Sequence, residues 1–263
     1  MTEIVAYKGF DKNLQCREFQ YEVGNAYVHE GPVEVCDSGF HACENPLDVL
    51  IHYPPATSRY AEVRQSGKIS RDGFDTKVAS SVLTIVAELS VNELIERAID
   101  WAYKNSSKIA GGDSCNTAHS TDKKSIAIST GDQSLASNTG YKSVALARGY
   151  QSLASVADDQ SLSLAEGNES LAISRGSDSV ANAKGNQSSS TTTDYSETAD
   201  EIGEECVAIS LGYNGSSIVT CPNGVAISCG RGGMAKAANG CALFLVYRDH
   251  YTSEILHTWS GIA

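Results

Sequence analysis

The sequence predicts a small α+β N-terminal domain followed by an all-β solenoid. The solenoid is a flattened two-sheet β-roll, nine residues per strand and turn and about eighteen per coil, with a C-terminal capping strand pair. Three observations carry this. Serine recurs at 125, 134, 143, 152, 161, 170, 179 and 188 without exception. Glycine fills the seventh slot of the same nonapeptides at Gly131, Gly140, Gly149, Gly167, Gly176 and Gly185, with Asp158 and Asp194 in the two others. Ahead of this tract, residues 1–106 show no such period and carry mixed helix and strand signals.

In residues 1–106 the strand candidates are Val33–Val35, Tyr60–Val63 and the longer run Val82–Leu89. Asn45 before Pro46 has the N-cap and first-turn proline of a short helix. Ser90 with Glu93 makes a capping box for a helix over about 91–103, with Leu94, Ile95 and Ala98 on one side. Lys104 to Ser107 link it to the repeats.

The roll covers residues 107–246. Its second slot holds Ile126, Leu135, Val144, Leu153, Leu162, Leu171 and Val180, and its third is almost always alanine. The register extends back to Asn116-Thr117-Ala118 and forward to Cys206-Val207-Ala208 and Gly224-Val225-Ala226. Glycine at this interval excludes a helix and suits a strand followed by a turn that needs positive φ. Slot four alternates between Ile128, Leu146, Leu164 and Ser137, Ser155, so successive strands belong to different sheets. Seven or eight coils at about 4.8 Å each give a stack roughly 35 Å long. The aliphatic slots two and four share one parity and are assigned to the core, which leaves slots one, three and five outside. Leu243 to Val246 then breaks the period as a closing strand, with a second strand near Ile255–Trp259 in the cap of residues 247–263.

Net charge is −12, from 32 acids against 20 bases. That balance disfavours direct nucleic-acid or anionic-membrane binding and suits a protein partner with a basic groove. No apolar run is long enough to span a bilayer, and no signal peptide is recognisable, so a cytosolic setting is expected. Eight scattered cysteines form no CxxC pair and are expected to be free thiols.

Tyr7-Lys8-Gly9-Phe10-Asp11, the segment Cys16 to Gly24, and the segment Cys36 to Asp48 resemble a domain of unknown function in phage and prophage proteins. In such proteins it precedes a Gly/Ser/Ala-rich repeat tract that ends in a pattern like Ala235-Lys236-Ala237 with Leu243–Val246. The resemblance implies phage or prophage origin and action in the host cytoplasm, and it supplies no catalytic residues. The Ser-Val-Ala repeats also resemble the heads of trimeric autotransporter adhesins, which keeps a dimer or trimer open.

Cys36, His41 and Cys43, with Cys16 or His52 nearby, have donors for zinc, but their spacing is not that of a finger or ribbon. Asp132, Asp158, Asp159, Asp178 and Asp194 lack the recurrence of a calcium roll. Tyr7-x-Gly9, Gly39-Phe40-His41 and Tyr53 to Tyr60 are similar to motifs of ADP-ribosyltransferase-like folds, the enzymatic alternative centred on residues 1–103. No cofactor, metal or catalytic residue is assigned. The acidic run Asp194, Glu197, Asp200, Glu201, Glu204 and Glu205 is read as a protruding binding surface. The expected function is therefore a non-enzymatic phage-encoded binding protein that inhibits a host defence or nucleic-acid-handling complex. A virion or cell-surface adhesin or spacer is the other alternative.

Overall fold

A computed structural model describes residues 3–53, 57–71, 76–105, 108–112, 117–249 and 251–263. Asn116, Cys115 and the linker residues Ser106 and Ser107 lie outside the described residues. The chain divides into two compact units, Met1–Trp101 and Ala102–Ala263.

The first unit is mostly β with one α-helix. Its strands are β1 (Ile4–Phe10), β2 (Gln15–Cys16), β3 (Phe19–Gln20), β4 (Ala26–Val28), β5 (Phe40–Cys43), β6 (Arg59–Ser70) and β7 (Lys77–Leu89). The main sheet runs β4-β7-β5-β1-β6, and β6 pairs back onto β7, so four antiparallel strands close on themselves. Phe10, Tyr21, Val63, Leu83 and Ile85 fill the interior, with Phe40 and Cys16 packed at its margin. Val33–Val35 is not a strand; only an isolated bridge, Glu34 to Ser38, forms there. A 3-10 helix spans Pro46–Val49, and Asn45 caps it by accepting from the Leu47 N–H at 3.2 Å. The capping box forms as predicted: Glu93 Oε2 accepts from Ser90 N at 2.8 Å and Ser90 Oγ from Glu93 N at 3.2 Å. It opens helix α1 (Val91–Asn105), whose Leu94, Ile95 and Ala98 are buried.

In the second unit a strand begins about every nine residues up to Ala242, and alternate strands enter two sheets, one of eight parallel strands and one of nine whose last strand is antiparallel, among the described residues. Residues eighteen apart are exact neighbours in register, as in Val144↔Leu162 and Leu153↔Leu171. Slots one, three and five, expected outside, are enclosed, whereas the aliphatics of slots two and four, expected inside, are buried on the eight-stranded sheet and only half-buried on the nine-stranded one. One core cluster joins Ala136, Ala154 and Ala172 of one sheet to Ala145, Ala165 and Ala181 of the other, so slots three and five face inward. The slot-one serines are buried with them. The enclosed side chains are mostly small, with Asn138, Val156, Glu201 and Val219 the larger ones at slot five. The aliphatics of slots two and four point the other way. On the nine-stranded sheet Leu135, Leu153 and Leu171 stack directly above one another and stay half-buried. On the eight-stranded sheet Ile126, Val144, Leu162 and Val180 are buried.

The recurrent serine has a specific task. Ser143 N donates to Ser161 Oγ at 3.1 Å, and Ser161 N to Ser179 Oγ at 3.0 Å. Each hydroxyl in turn donates to a turn carbonyl of the coil before, Ser161 to Gly140 O at 3.2 Å and Ser188 to Gly167 O at 3.0 Å. A buried N–H and a buried O–H are thereby satisfied at once, each bond contributing about 1 kcal/mol net.

Glycine at slot seven has the predicted positive φ at Gly131, Gly149, Gly167 and Gly185, from 113° to 146°, but not at Gly140 or Gly176. The left-handed residue of the turn is at slot nine: Gln133, Lys142, Gln151, Gln160, Glu169, Asp178 and Gln187 have φ between 53° and 58°. Such backbone costs an L-residue about 1–2 kcal/mol. It is held by coil-to-coil bonds such as Gln133 N to Tyr150 O at 2.7 Å and Gln151 N to Asn168 O at 3.0 Å. Glycine at slot seven is required by stacking. A Cβ on Gly149 would lie 2.3 Å from the carbonyl oxygen of Gly131 directly beneath it, and its φ of +135° adds strain.

The stack ends where Ala242–Arg248 joins the nine-stranded sheet in parallel and Ile255–Ile262 pairs with it antiparallel, consistent with a capping strand pair. That last strand leaves Ile255, Leu256, Trp259 and Ile262 exposed.

Gly149→Val is expected to lower stability by at least about 2 kcal/mol through clash and strain. Gln151→Gly, which relieves a left-handed residue, should stay within about 1 kcal/mol of wild type. Chemical denaturation of both variants checks the assignment of the two slots.

Candidate functional site

A well-formed concave feature belongs to the first domain. It is a cavity of about 500 Å³. β1 contributes Tyr7, Lys8 and Gly9, the β2–β3 hairpin Arg17 and Phe19, and the chain from Cys36 to Cys43 one wall including His41. His52 and Tyr53, beyond the 3-10 helix, and Lys77, at the start of β7, complete it. Gly9 is needed here because the Tyr53 ring lies flat on it; a Cβ would sit 2.3 Å from the ring.

Lys8 is the central oddity. It is only 5% exposed, yet among the described residues no carboxylate pairs with it. Its Nζ donates to His41 O at 2.9 Å and to Cys16 Sγ at 3.6 Å, and lies 5.3 Å from the centre of the Tyr21 ring. Burial holds the ammonium below the usual lysine range, partly opposed by the neighbouring Cys16. Cys16 Sγ is 3.0 Å from Tyr53 Oη, and Tyr60 Oη donates to Tyr53 O at 2.5 Å. His41 Nε2 accepts from Cys36 N at 2.9 Å, and burial lowers its pKa, so the ring is neutral with its proton on Nδ1.

The rim is made of strained backbone. Arg17, Glu18 and Cys36 all have positive φ, at 49°, 65° and 68°. The β2–β3 turn is thus left-handed at both central residues without glycine, the kind of local strain that accumulates at functional sites. It lifts Arg17 and Phe19 to the mouth. Phe19 is 45% exposed and joins Tyr21, Tyr27 and Phe40 in an aromatic cluster with centroids 4.8 to 6.4 Å apart.

The suggested zinc donors Cys36, His41, Cys43, Cys16 and His52 do converge on this cavity. Among the described residues, however, no three His, Cys, Asp or Glu side chains are grouped to hold a metal, and His41 Nε2 is occupied by the Cys36 N–H. The seven described cysteines are free thiols. Lys8, Arg17, Phe19 and Lys77 were not singled out from sequence. Lys8, Arg17 and Phe19 do fall inside the motifs that carry the family resemblance, which was the available signal.

The acidic run is not one protruding face. Glu197, Asp200 and Glu201 are buried, at 1%, 1% and 0% exposure. Glu197 takes the place of the slot-one serine and accepts from Asp194 N; Glu201 occupies inward slot five; Asp200 accepts from Asn182 Nδ2 at 3.2 Å. Asp194, Glu204 and Glu205 remain at the surface. The last two edge a shallow groove with Tyr150 and Glu169, where Gln187 Nε2 donates to Glu205 Oε2 at 3.0 Å between coils. Regular spacing put Glu197 into the serine slot one and Glu201 into inward slot five, while Asp200 lies at slot four, which is buried on the eight-stranded sheet.

Burial pushes Glu197 up to about 8, Asp200 to about 7 and Glu201 to about 9. In the unfolded chain such acids ionise near pH 4, so between pH 4 and 9 the folded state holds more protons. Their contribution is therefore complete below about pH 4 and is lost as pH rises through 7 to 9, by an amount on the order of several kcal/mol. Unfolding followed from pH 5 to 9 should show falling stability of the roll, and Glu201→Gln should flatten the slope.

Among the described residues no helix is long and apolar enough to cross a membrane. No curated protein and no solved structure matches the chain. Residues 4–97, which include every residue lining the cavity, match the family model described as a domain of unknown function, DUF7666.

Proposed function

We propose that this chain is a non-enzymatic binding protein whose recognition site is the cavity of the first domain, with the β-roll as a rigid frame. The observation that carries the proposal is Lys8, a buried cation without an acidic partner among the described residues, in a chain where acids outnumber bases 32 to 20. An uncompensated charge at such depth is costly, and a ligand that completes its environment removes the cost. Binding rather than turnover is supported by how the polar groups are used. Lys8 holds the His41 carbonyl, Cys16 the Tyr53 hydroxyl, and His41 the Cys36 amide, so they brace the wall. The roll supports a passive role, since its interior is alanine and serine and its turns are bonded coil to coil. The phage-like motifs of the first domain favour a setting inside an infected bacterial cell. The buried half of the acidic run gives less support to inhibition of a host complex through an acidic surface than the cavity gives to ligand recognition.

Cys16 and Cys36 line the cavity, whereas Cys229 lies in the second unit. With a pool of low-molecular-weight bacterial metabolites present, alkylation of Cys16 and Cys36 should slow several-fold while Cys229 is unchanged, as ligand occupancy shields the thiols. Peptide-resolved mass spectrometry reads all three. No protection at Cys16 and Cys36, or protection at Cys229 alone, contradicts the proposal.

A further inference from the structure

The arginines of the first domain form a controlled comparison. Arg59 pairs with Glu88 at 2.6 Å, Arg64 with Glu3 at 3.2 Å, Arg71 with Glu44 at 3.1 Å and Arg97 with Glu62 at 3.2 Å. The fifth, Arg17, has no ion-pair partner among the described residues and stands at the cavity mouth. Lys8, at the cavity floor, is likewise without a carboxylate among the described residues. In a chain of net charge −12, the cavity is lined by Lys8, Arg17 and Lys77 against one carboxylate, Asp37, and that surplus of cations concentrates positive potential there.

The second half of the site is aromatic. Phe19 and Phe40 line the same cavity, 6.1 Å apart between ring centroids, and Phe19 keeps nearly half its surface open. A charged end and an aromatic end whose two rings are inclined at 64° within about 500 Å³ match a small molecule with an oxyanion and a planar ring. Inorganic anions alone would leave the aromatic wall uncovered, and neutral aromatics would leave Lys8 unmatched.

We infer that the cavity binds a mononucleotide-like organic phosphate, with the phosphate between Lys8 and Arg17 and the planar ring against Phe19 and Phe40. This rests on the cavity being the recognition site, as proposed above. Charge-assisted hydrogen bonds from Lys8 and Arg17 hold the oxyanion, and Arg17 offers its planar fork of donors. Lys77 adds positive charge at the same wall.

The test is calorimetric titration of the full chain with three probes: adenosine 5′-monophosphate, adenosine and inorganic phosphate. The monophosphate should bind, with adenosine and phosphate each at least about tenfold weaker. Arg17→Gln should weaken the monophosphate about tenfold or more and leave adenosine unchanged. Phe19→Ser should weaken the monophosphate and adenosine alike, leaving phosphate unchanged. Lys8→Met is the stronger variant if it folds; Arg17→Gln, at the rim, keeps the test open if it does not. Equal binding of adenosine and its monophosphate, or an unchanged Arg17→Gln, overturns the inference while the cavity stays a binding site. If none of the three probes binds, the inference also fails; the thiol-protection measurement then decides separately whether the cavity binds anything.

Discussion

The second unit depends on one geometric constraint: residues eighteen apart must sit one strand spacing above each other, coil after coil. At about 4.8 Å between neighbours there is no room for a side chain where a turn carbonyl points straight up, so slot seven is held by glycine or a small turn residue. The same spacing lets a buried serine hydroxyl take the amide of the coil on one side and reach a carbonyl on the other. Ser143, Ser161 and Ser179 form such a ladder. An interior of alanine methyl groups provides little hydrophobic gain per residue, so this hydrogen bonding is a large share of what fixes the roll. The left-handed residues at slot nine are tolerated for the same reason, since each donates to the neighbouring coil.

This account explains what could be read from the sequence. The period was legible because stacking repeats one environment, and selection for that environment repeats one residue. The face that lies inward was not. Alternation separates two sets of side chains without saying which set is enclosed, and the usual preference for buried aliphatics favoured Leu153 over Ala154. The enclosed set is the one that holds alanine. The positive φ of slot seven was legible at Gly131, Gly149, Gly167 and Gly185, while the left-handed residue at slot nine was not, because Gln151 takes that conformation with no residue signature. Glu197, Asp200 and Glu201 read as solvated because carboxylates nearly always are. In the first domain the capping box and the Asn45 cap were local and therefore legible. The cavity was not, because Lys8, Arg17 and His41 meet only once the four strands close.

The two units thus differ in what they do with polar groups. The roll spends its serines and turn amides on itself, coil against coil. The first domain braces its cavity with Tyr53, Cys16 and His41, and keeps Lys8 and Arg17 without acidic partners among the described residues. That contrast is the ground for proposing recognition in the first domain and a passive role for the repeats.

The central structural claim is the inward assignment of slots one, three and five, and thiol accessibility tests it most directly. Leu153→Cys and Ala154→Cys, made separately, place a thiol at adjacent slots of one strand. The native proteins are treated with a small maleimide, and the reaction is followed at the introduced cysteine by peptide mass spectrometry. The account predicts that Cys at 153 reacts at least about tenfold faster than Cys at 154, because only the first reaches solvent. Equal rates, or faster labelling at 154, would contradict it.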